Sequence, residues 1–188
     1  SDGSAEEGGG IHVASSTLTI TNSVFTGNGY VNVWGGWGGA INASSSTVTI
    51  TNSTFSGNTG YIGAAIHSAD SVLRIENTTV EHNLSTYVAG GVSSMGTGSA
   101  TIVDSIFTNN EGGESGTGGG VYADTDLTVI GSSFSNNDAG EYGWGGGIAM
   151  FGGDLAITGS SFIENTADAS GGYGGAIFTT YESSIEIA

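Results

Sequence analysis

The strongest constraint on this chain is an internal repeat of about 27 residues. Two signals alternate along it. The first is small-small-aliphatic: Gly9-Gly10-Ile11, Gly39-Ala40-Ile41, Ala64-Ala65-Ile66, Gly90-Gly91-Val92, Gly119-Gly120-Val121, Gly146-Gly147-Ile148 and Gly175-Ala176-Ile177. The second is a bulky apolar residue followed three later by Asn: Phe25/Asn28, Phe55/Asn58, Val80/Asn83, Phe107/Asn110, Phe134/Asn137 and Phe162/Asn165. Between them lies a short alternating run, as in Leu18-Thr19-Ile20, Val48-Thr49-Ile50 and Leu73-Arg74-Ile75. A last run, Ile185-Glu186-Ile187, lies near the chain end.

None of these segments has helical period. Each alternates apolar and polar, which is the pattern of a strand with one buried face. Three short strands per unit, joined by polar turns, describe one rung of a β-solenoid. A lone rung buries six or seven apolar side chains, worth about 1.5–3 kcal/mol each. Fixing its backbone costs about 1–2 kcal/mol per residue, so rungs must stack. Parallel crossovers are right-handed. The expectation is therefore an all-β, right-handed parallel β-helix of about seven rungs, partial or complete, roughly 33 Å long at the spacing of β ladders. Residues 1–8 read as a lead or flap and 9–188 as one β-helix domain, with open sheet edges expected to continue or to pair with neighbours.

The column residues have physical reasons. Asn28, Asn58, Asn83, Asn110, Asn137 and Asn165 read as a structural amide ladder, with Asn also suited to a left-handed turn. A second column, Asn22, Asn52, Asn77, Asp104, Gly131 and Gly159, is looser. The paired small residues suit corners that need positive φ or close backbone approach.

Gly-Gly-Ala-Ile, intact at residues 38–41 and 174–177, followed by Phe-x-x-Asn, resembles the repeats of polymorphic outer-membrane proteins and similar surface adhesins. The resemblance covers nearly the whole chain from Gly9 onward. It implies an extracellular or cell-surface location and an adhesive or structural role.

Composition excludes several functions. The chain has 188 residues, 36 of them Gly, with no Pro and no Cys; 18 acidic residues face a single Arg, Arg74, and no Lys, for a net charge of −17. Phosphate neutralisation needs cations, so nucleic acid is not a partner. No transmembrane segment is expected, since no apolar run is long enough to span a bilayer as a helix. With no thiol there is no disulfide framework.

Chemistry is sparse. Arg74, with Glu76 on the same strand face, reads as a surface ion pair of little energetic weight. Asp124, Asp126 and Asp154 form a carboxylate stripe, the one arrangement that could serve a glycoside hydrolase; the reading remains non-enzymatic. His12 and His67 follow the corner aliphatic and are expected on the outer surface. Acidic loops such as Glu111–Glu114 and Asp138–Glu141 make Ca²⁺ a candidate ligand, though no EF-hand or calcium β-roll pattern is present. No other cofactor is expected.

Aromatic residues gather in the long loops before the small-small corners. Trp34, Trp37, Tyr61, Tyr87, Trp144 and Tyr173 are the candidate binding residues, alongside Tyr30 and Tyr142. Such residues either pack over the corner as a second small core or present a surface to glycans or proteins. The fourth loop, Glu111 to Gly118, carries none. The functional expectation is a structural or adhesive β-helix whose partners are itself, by end-to-end or lateral assembly, or surface glycans and proteins. The alternative is a carbohydrate-binding or carbohydrate-active β-helix.

Overall fold

The computed structural model describes residues 7–29, 36–113, 116–167, 171–180 and 183–188. All 22 strands among them are short, and all pair in parallel. Each coil contributes one strand to each of three sheets. The first sheet holds the segments after the small-small corner, from Ile11–Ala14 to Ile177–Thr179. The second holds the alternating runs, from Thr17–Thr21 to Ile185–Ile187. The third holds the segments bearing the bulky residue, from Val24–Thr26 to Ser161–Ile163. The first two sheets have seven strands and the third six. The solenoid thus has about six full turns, with a seventh present in two sheets.

Register follows the repeat. Phe25, Phe55, Val80, Phe107, Phe134 and Phe162 are successive partners in the third sheet. Their rings stack at 4.8 Å for Phe25–Phe55 and for Phe107–Phe134, nearly parallel. Phe55, Phe107 and Phe134 are fully buried, as are Ile41, Ile66 and Ile148 of the first sheet and Ile50, Ile75 and Ile102 of the second. These columns form one continuous core.

Two corners use one local device in all six coils, a residue at positive φ followed by a polar residue that points inward. Between the second and third sheets the left-handed position is Asn22, Asn52, Asn77, Asp104, Gly131 and Gly159, with φ between 45° and 58°. That is why this column drifts from Asn through Asp to Gly, all residue types that tolerate the conformation. The next residue is Ser or Thr. Ser53 Oγ donates to the Thr51 carbonyl at 2.8 Å and accepts the Ser23 N–H at 3.1 Å. The same pair of bonds recurs at Thr78, Ser105 and Ser132. A hydroxyl ladder therefore runs up this corner.

At the third corner the positive φ belongs to Gly27, Gly57, His82, Asn109, Asn136 and Glu164, one residue before each ladder Asn. The ladder Asn residues serve hydrogen bonding and leave the left-handed turn to their neighbours. Asn110 Nδ2 donates to Asn137 Oδ1 and to the Val80 carbonyl, both at 2.9 Å, while its Oδ1 accepts from the N–H and side-chain amide of Asn83. Asn58, Asn83, Asn110 and Asn137 have no solvent exposure, so each such bond replaces one that water would otherwise make.

After the ladder Asn the chain leaves the coil in a loop and returns at the next small-small corner. The left-handed residue there is Gly8, Gly38, Gly63, Ala89, Gly118, Gly145 or Gly174. The pair that follows is small for a different reason, backbone proximity. A Cβ on Gly119 would lie 2.5 Å from the carbonyl oxygens of both Asp138 and Gly146. The start of the coil therefore closes against the backbone just past its own ladder Asn.

Candidate functional site

The exit loops stack on one another and form a lobe along one side of the rod. Parallel pairing runs from Glu7 through Trp37 to Ile62 and on to Val88. The Ala89 N–H donates to the Thr117 carbonyl, and Thr117, Trp144 and Tyr173 continue the column. The lobe folds back over the outer face of the first sheet. In the second sheet outward residues such as Thr19 and Arg74 are exposed. Over much of the first sheet both faces are covered: Asn42, His67, Ser93 and Ala149 point outward yet are at most 3% exposed.

This overturns the expectation for His67. His12 is exposed, with its ring 3.4 Å from the Glu7 carboxylate. His67 is buried, with Nδ1 2.6 Å from Ser93 Oγ and its ring edge-on to Trp37 at 5.6 Å. Burial holds its pKa down at about 4, so the imidazole is neutral at pH 7. Strand alternation gives the direction of a side chain; whether a distant loop covers that direction is decided by tertiary packing.

The aromatic residues fall into separate groups. Trp37 is 45% exposed and contacts His67. Tyr61 and Tyr87 stack at 5.0 Å, nearly parallel. Farther along the rod, Trp144 packs on Phe151 at 5.3 Å and on Phe178 at 5.1 Å, Phe151 stacks on Tyr122 at 5.4 Å, and Tyr173 closes the group on Trp144 and Phe178. Trp34 and Tyr30 lie outside the described residues. Of the candidate binding residues, Tyr61 thus pairs with Tyr87 and Tyr173 with Trp144, while Trp37 contacts His67.

Among the described residues no ring contact joins the Tyr61–Tyr87 pair to the Trp144 group. Between them lies a cavity of about 440 Å³ lined by Ile62, Tyr87, Val88, Met95, Thr117, Tyr122, Tyr142, Trp144 and Phe151. It opens where the fourth loop puts Thr117 in the column that holds Trp37 and Trp144. Tyr122, Phe151 and Met95 were not singled out from sequence. An aromatic residue at an outward position of a strand, as at Tyr122 and Phe178, was the available signal.

The lining side chains that carry polar atoms are Tyr87, Thr117, Tyr122, Tyr142 and Trp144. Among the described residues no protein group hydrogen-bonds the hydroxyls of Tyr87, Tyr122 and Tyr142 or the indole N–H of Trp144. The Tyr122 pKa is pushed up to about 12, first by burial, then by the Asp124 carboxylate and by Tyr87. The hydroxyl thus keeps its proton and remains a donor at neutral pH.

The carboxylate stripe is tied into turns. Asp70 Oδ1 accepts the Thr97 N–H at 2.8 Å, which with the Thr97 hydroxyl holds its pKa down. Asp124 Oδ1 accepts the Gly96 N–H at 2.7 Å, Asp126 Oδ1 the Asp154 N–H at 3.0 Å, and Asp154 Oδ1 the Ser184 hydroxyl at 2.6 Å. Burial raises the Asp124 pKa, and its accepted N–H bonds oppose that rise. Arg74 pairs with Glu76 at 2.8 Å on the surface.

A second, more open groove of about 690 Å³ brings Glu111, Asp138 and Glu141 to the lobe surface beside Leu84 and Thr166. Among the described residues, no three His, Asp or Glu side chains are grouped closely enough to hold a metal ion. Glu114 lies outside the described residues. No described helix is long and apolar enough to cross a membrane.

No curated protein and no solved structure matches the chain. The parallel three-sheet solenoid does have a family counterpart: the model of the right-handed β-helix region matches residues 4–124, well over half of the sequence, and the chain belongs to that family.

Proposed function

We propose that this chain is a non-enzymatic structural and adhesive β-helix, working outside the cell or on its surface, with the loop lobe as its contact surface. The observation that carries this reading is the division of labour around the coil. Three corners repeat hydroxyl, amide and small-residue columns that serve stacking alone. Composition varies from coil to coil in the lobe, where Trp37, Tyr61, Tyr87, Trp144 and Tyr173 gather. A rod that keeps its frame constant and varies one side is suited to holding a recognition surface.

Two further points support it. The carboxylates Asp124, Asp126 and Asp154 spend oxygens on turn N–H and hydroxyl groups, which suits them to structure more than to proton transfer. The repeat phrases resemble those of surface β-helix proteins, which supports the location.

The test is to immobilise the purified chain and assay it against arrayed glycans and extracellular-matrix proteins, while measuring release of reducing ends from bound polysaccharide. The reading expects saturable binding without turnover, and rods in negative-stain micrographs, single or assembled. Turnover of a bound polysaccharide overturns the non-enzymatic reading. Absence of any binding overturns the adhesive one.

A further inference from the structure

We infer that the interruption in the aromatic lobe at Thr117 is a binding slot for one neutral hexopyranose unit of a glycan. This rests on the adhesive reading and gives it a site and a ligand class.

Elsewhere along the lobe, rings meet rings, Tyr61 on Tyr87 at 5.0 Å and Trp144 on Phe151 at 5.3 Å. Between Trp37 and Trp144 the column residues are Ile62, Val88 and Thr117; the second and third loops add the rings of Tyr61 and Tyr87 beside it, the fourth adds none, and a cavity of about 440 Å³ opens there between the two groups. That volume falls in the range of small-molecule sites, which are mostly apolar and carry a few convergent polar groups. A cavity of this kind on the outside of a rod is open to a ligand.

The lining selects the ligand. The walls are mostly aromatic rings, Tyr87 and Tyr142 from the lobe with Trp144, over Tyr122 of the sheet and Phe151 just past its strand. A pyranose has an apolar C–H face that packs on such rings and a belt of hydroxyls at its edge. Among the lining side chains, Tyr87, Tyr122 and Tyr142 carry phenol hydroxyls and Trp144 an indole N–H suited to that belt, none bonded to a described protein group. A purely apolar ligand would leave these groups unpaired, at a cost. Charge narrows the class further. The chain carries −17, and Asp124 lies close enough to Tyr122 to shift it. Uronic acids and sulfated sugars are repelled by that field, which leaves neutral sugars.

The test is a tryptophan-fluorescence titration of the whole chain with cellotetraose, maltotetraose, mannotetraose and chitotetraose, and with tetragalacturonate as the acidic control. At least one neutral tetrasaccharide is expected to give a saturable change, and tetragalacturonate none. Thr117→Trp fills the slot from the column itself and is expected to abolish binding without lowering the melting temperature. Tyr122→Phe removes one donor and keeps the ring; it is expected to weaken binding by roughly tenfold, the equivalent of about 1.4 kcal/mol. Binding of no neutral tetrasaccharide, equal binding by Thr117→Trp, or preference for tetragalacturonate overturns the inference. The same Thr117→Trp protein in the adhesion assay separates the two readings. If it still adheres, the slot is refuted as the adhesive site while the adhesive rod stands.

Discussion

Acidification should weaken this protein through one imidazole. His67 is buried, and its pKa is lowered from 6.5 to about 4. The unfolded chain therefore takes up a proton near pH 6.5 that the folded chain refuses until about pH 4. Because the folded pKa is depressed, the stability it contributes is present above 6.5 and lost as pH falls toward 4. At about 1.4 kcal/mol per pH unit, the loss is about 2 kcal/mol at pH 5 and about 3 kcal/mol once pH is below 4. The other two histidines, His12 and His82, are exposed. A matched variant isolates the effect. His67→Asn places in this coil the residue type that Asn42 supplies in the previous one, and its amide can still reach Ser93. Urea unfolding of both proteins at pH 7.5 and pH 5 gives four free energies. Wild type should lose about 2 kcal/mol more than the variant over that interval. Contributions of the shared carboxylates cancel in the difference. If the two lose stability in parallel, within about 0.5 kcal/mol, His67 is solvated and the lobe does not cover the first sheet.

Other consequences are simpler to read. Asn110→Ala should cost about 3 kcal/mol or more in chemical denaturation, because it strips partners from Asn83, Val80 and Asn137 in a dry column. Asn165→Ala, at the half-buried end of the ladder, should cost clearly less. Gly119→Ala should lower stability by about 3 kcal/mol, since its Cβ meets two carbonyl oxygens. Gly57→Ala, with open space around it but φ of 62°, should cost only about 1–2 kcal/mol. In a eukaryotic secretory host, mass spectrometry should find glycans on the exposed sequons Asn52 and Asn77 and none on Asn42 or Asn83, which are buried. Arg74→Ala should leave the melting temperature nearly unchanged, because its ion pair with Glu76 is a surface one.

Much of the frame was readable before any coordinate. The spacing of Ile11, Ile41, Ile66 and their successors identified the coils, and the alternation in Leu18-Thr19-Ile20 identified which side chains face inward. Both signals come from burial in a repeated cross-section, which leaves a period in the sequence. The Ser and Thr ladder left no such mark, because Ser53 and Thr78 stand among many other hydroxyl residues and are distinguished only by the left-handed residue before them. The Asn ladder was readable as a column, but its division of labour with Gly27, His82 and Asn109 was not. Two candidate residues, Tyr87 and Trp144, line one cavity, yet their meeting depends on how loops of different length stack. The absence of an aromatic residue from the fourth loop was visible; that a cavity opens beside Thr117 follows only from the register of Ala89, Thr117 and Trp144 across three coils.

The central claim is that recognition belongs to the interrupted lobe and that the three corner columns are scaffold. The most direct test is to map amide and indole chemical shifts of the ¹⁵N-labelled chain while adding the neutral tetrasaccharides used for the fluorescence titration. The account predicts changes confined to the Trp144 indole and to the backbone around Tyr87, Thr117, Tyr122 and Tyr142. Changes centred on the outer Thr residues of the second sheet, or no changes with any of the sugars, would contradict it.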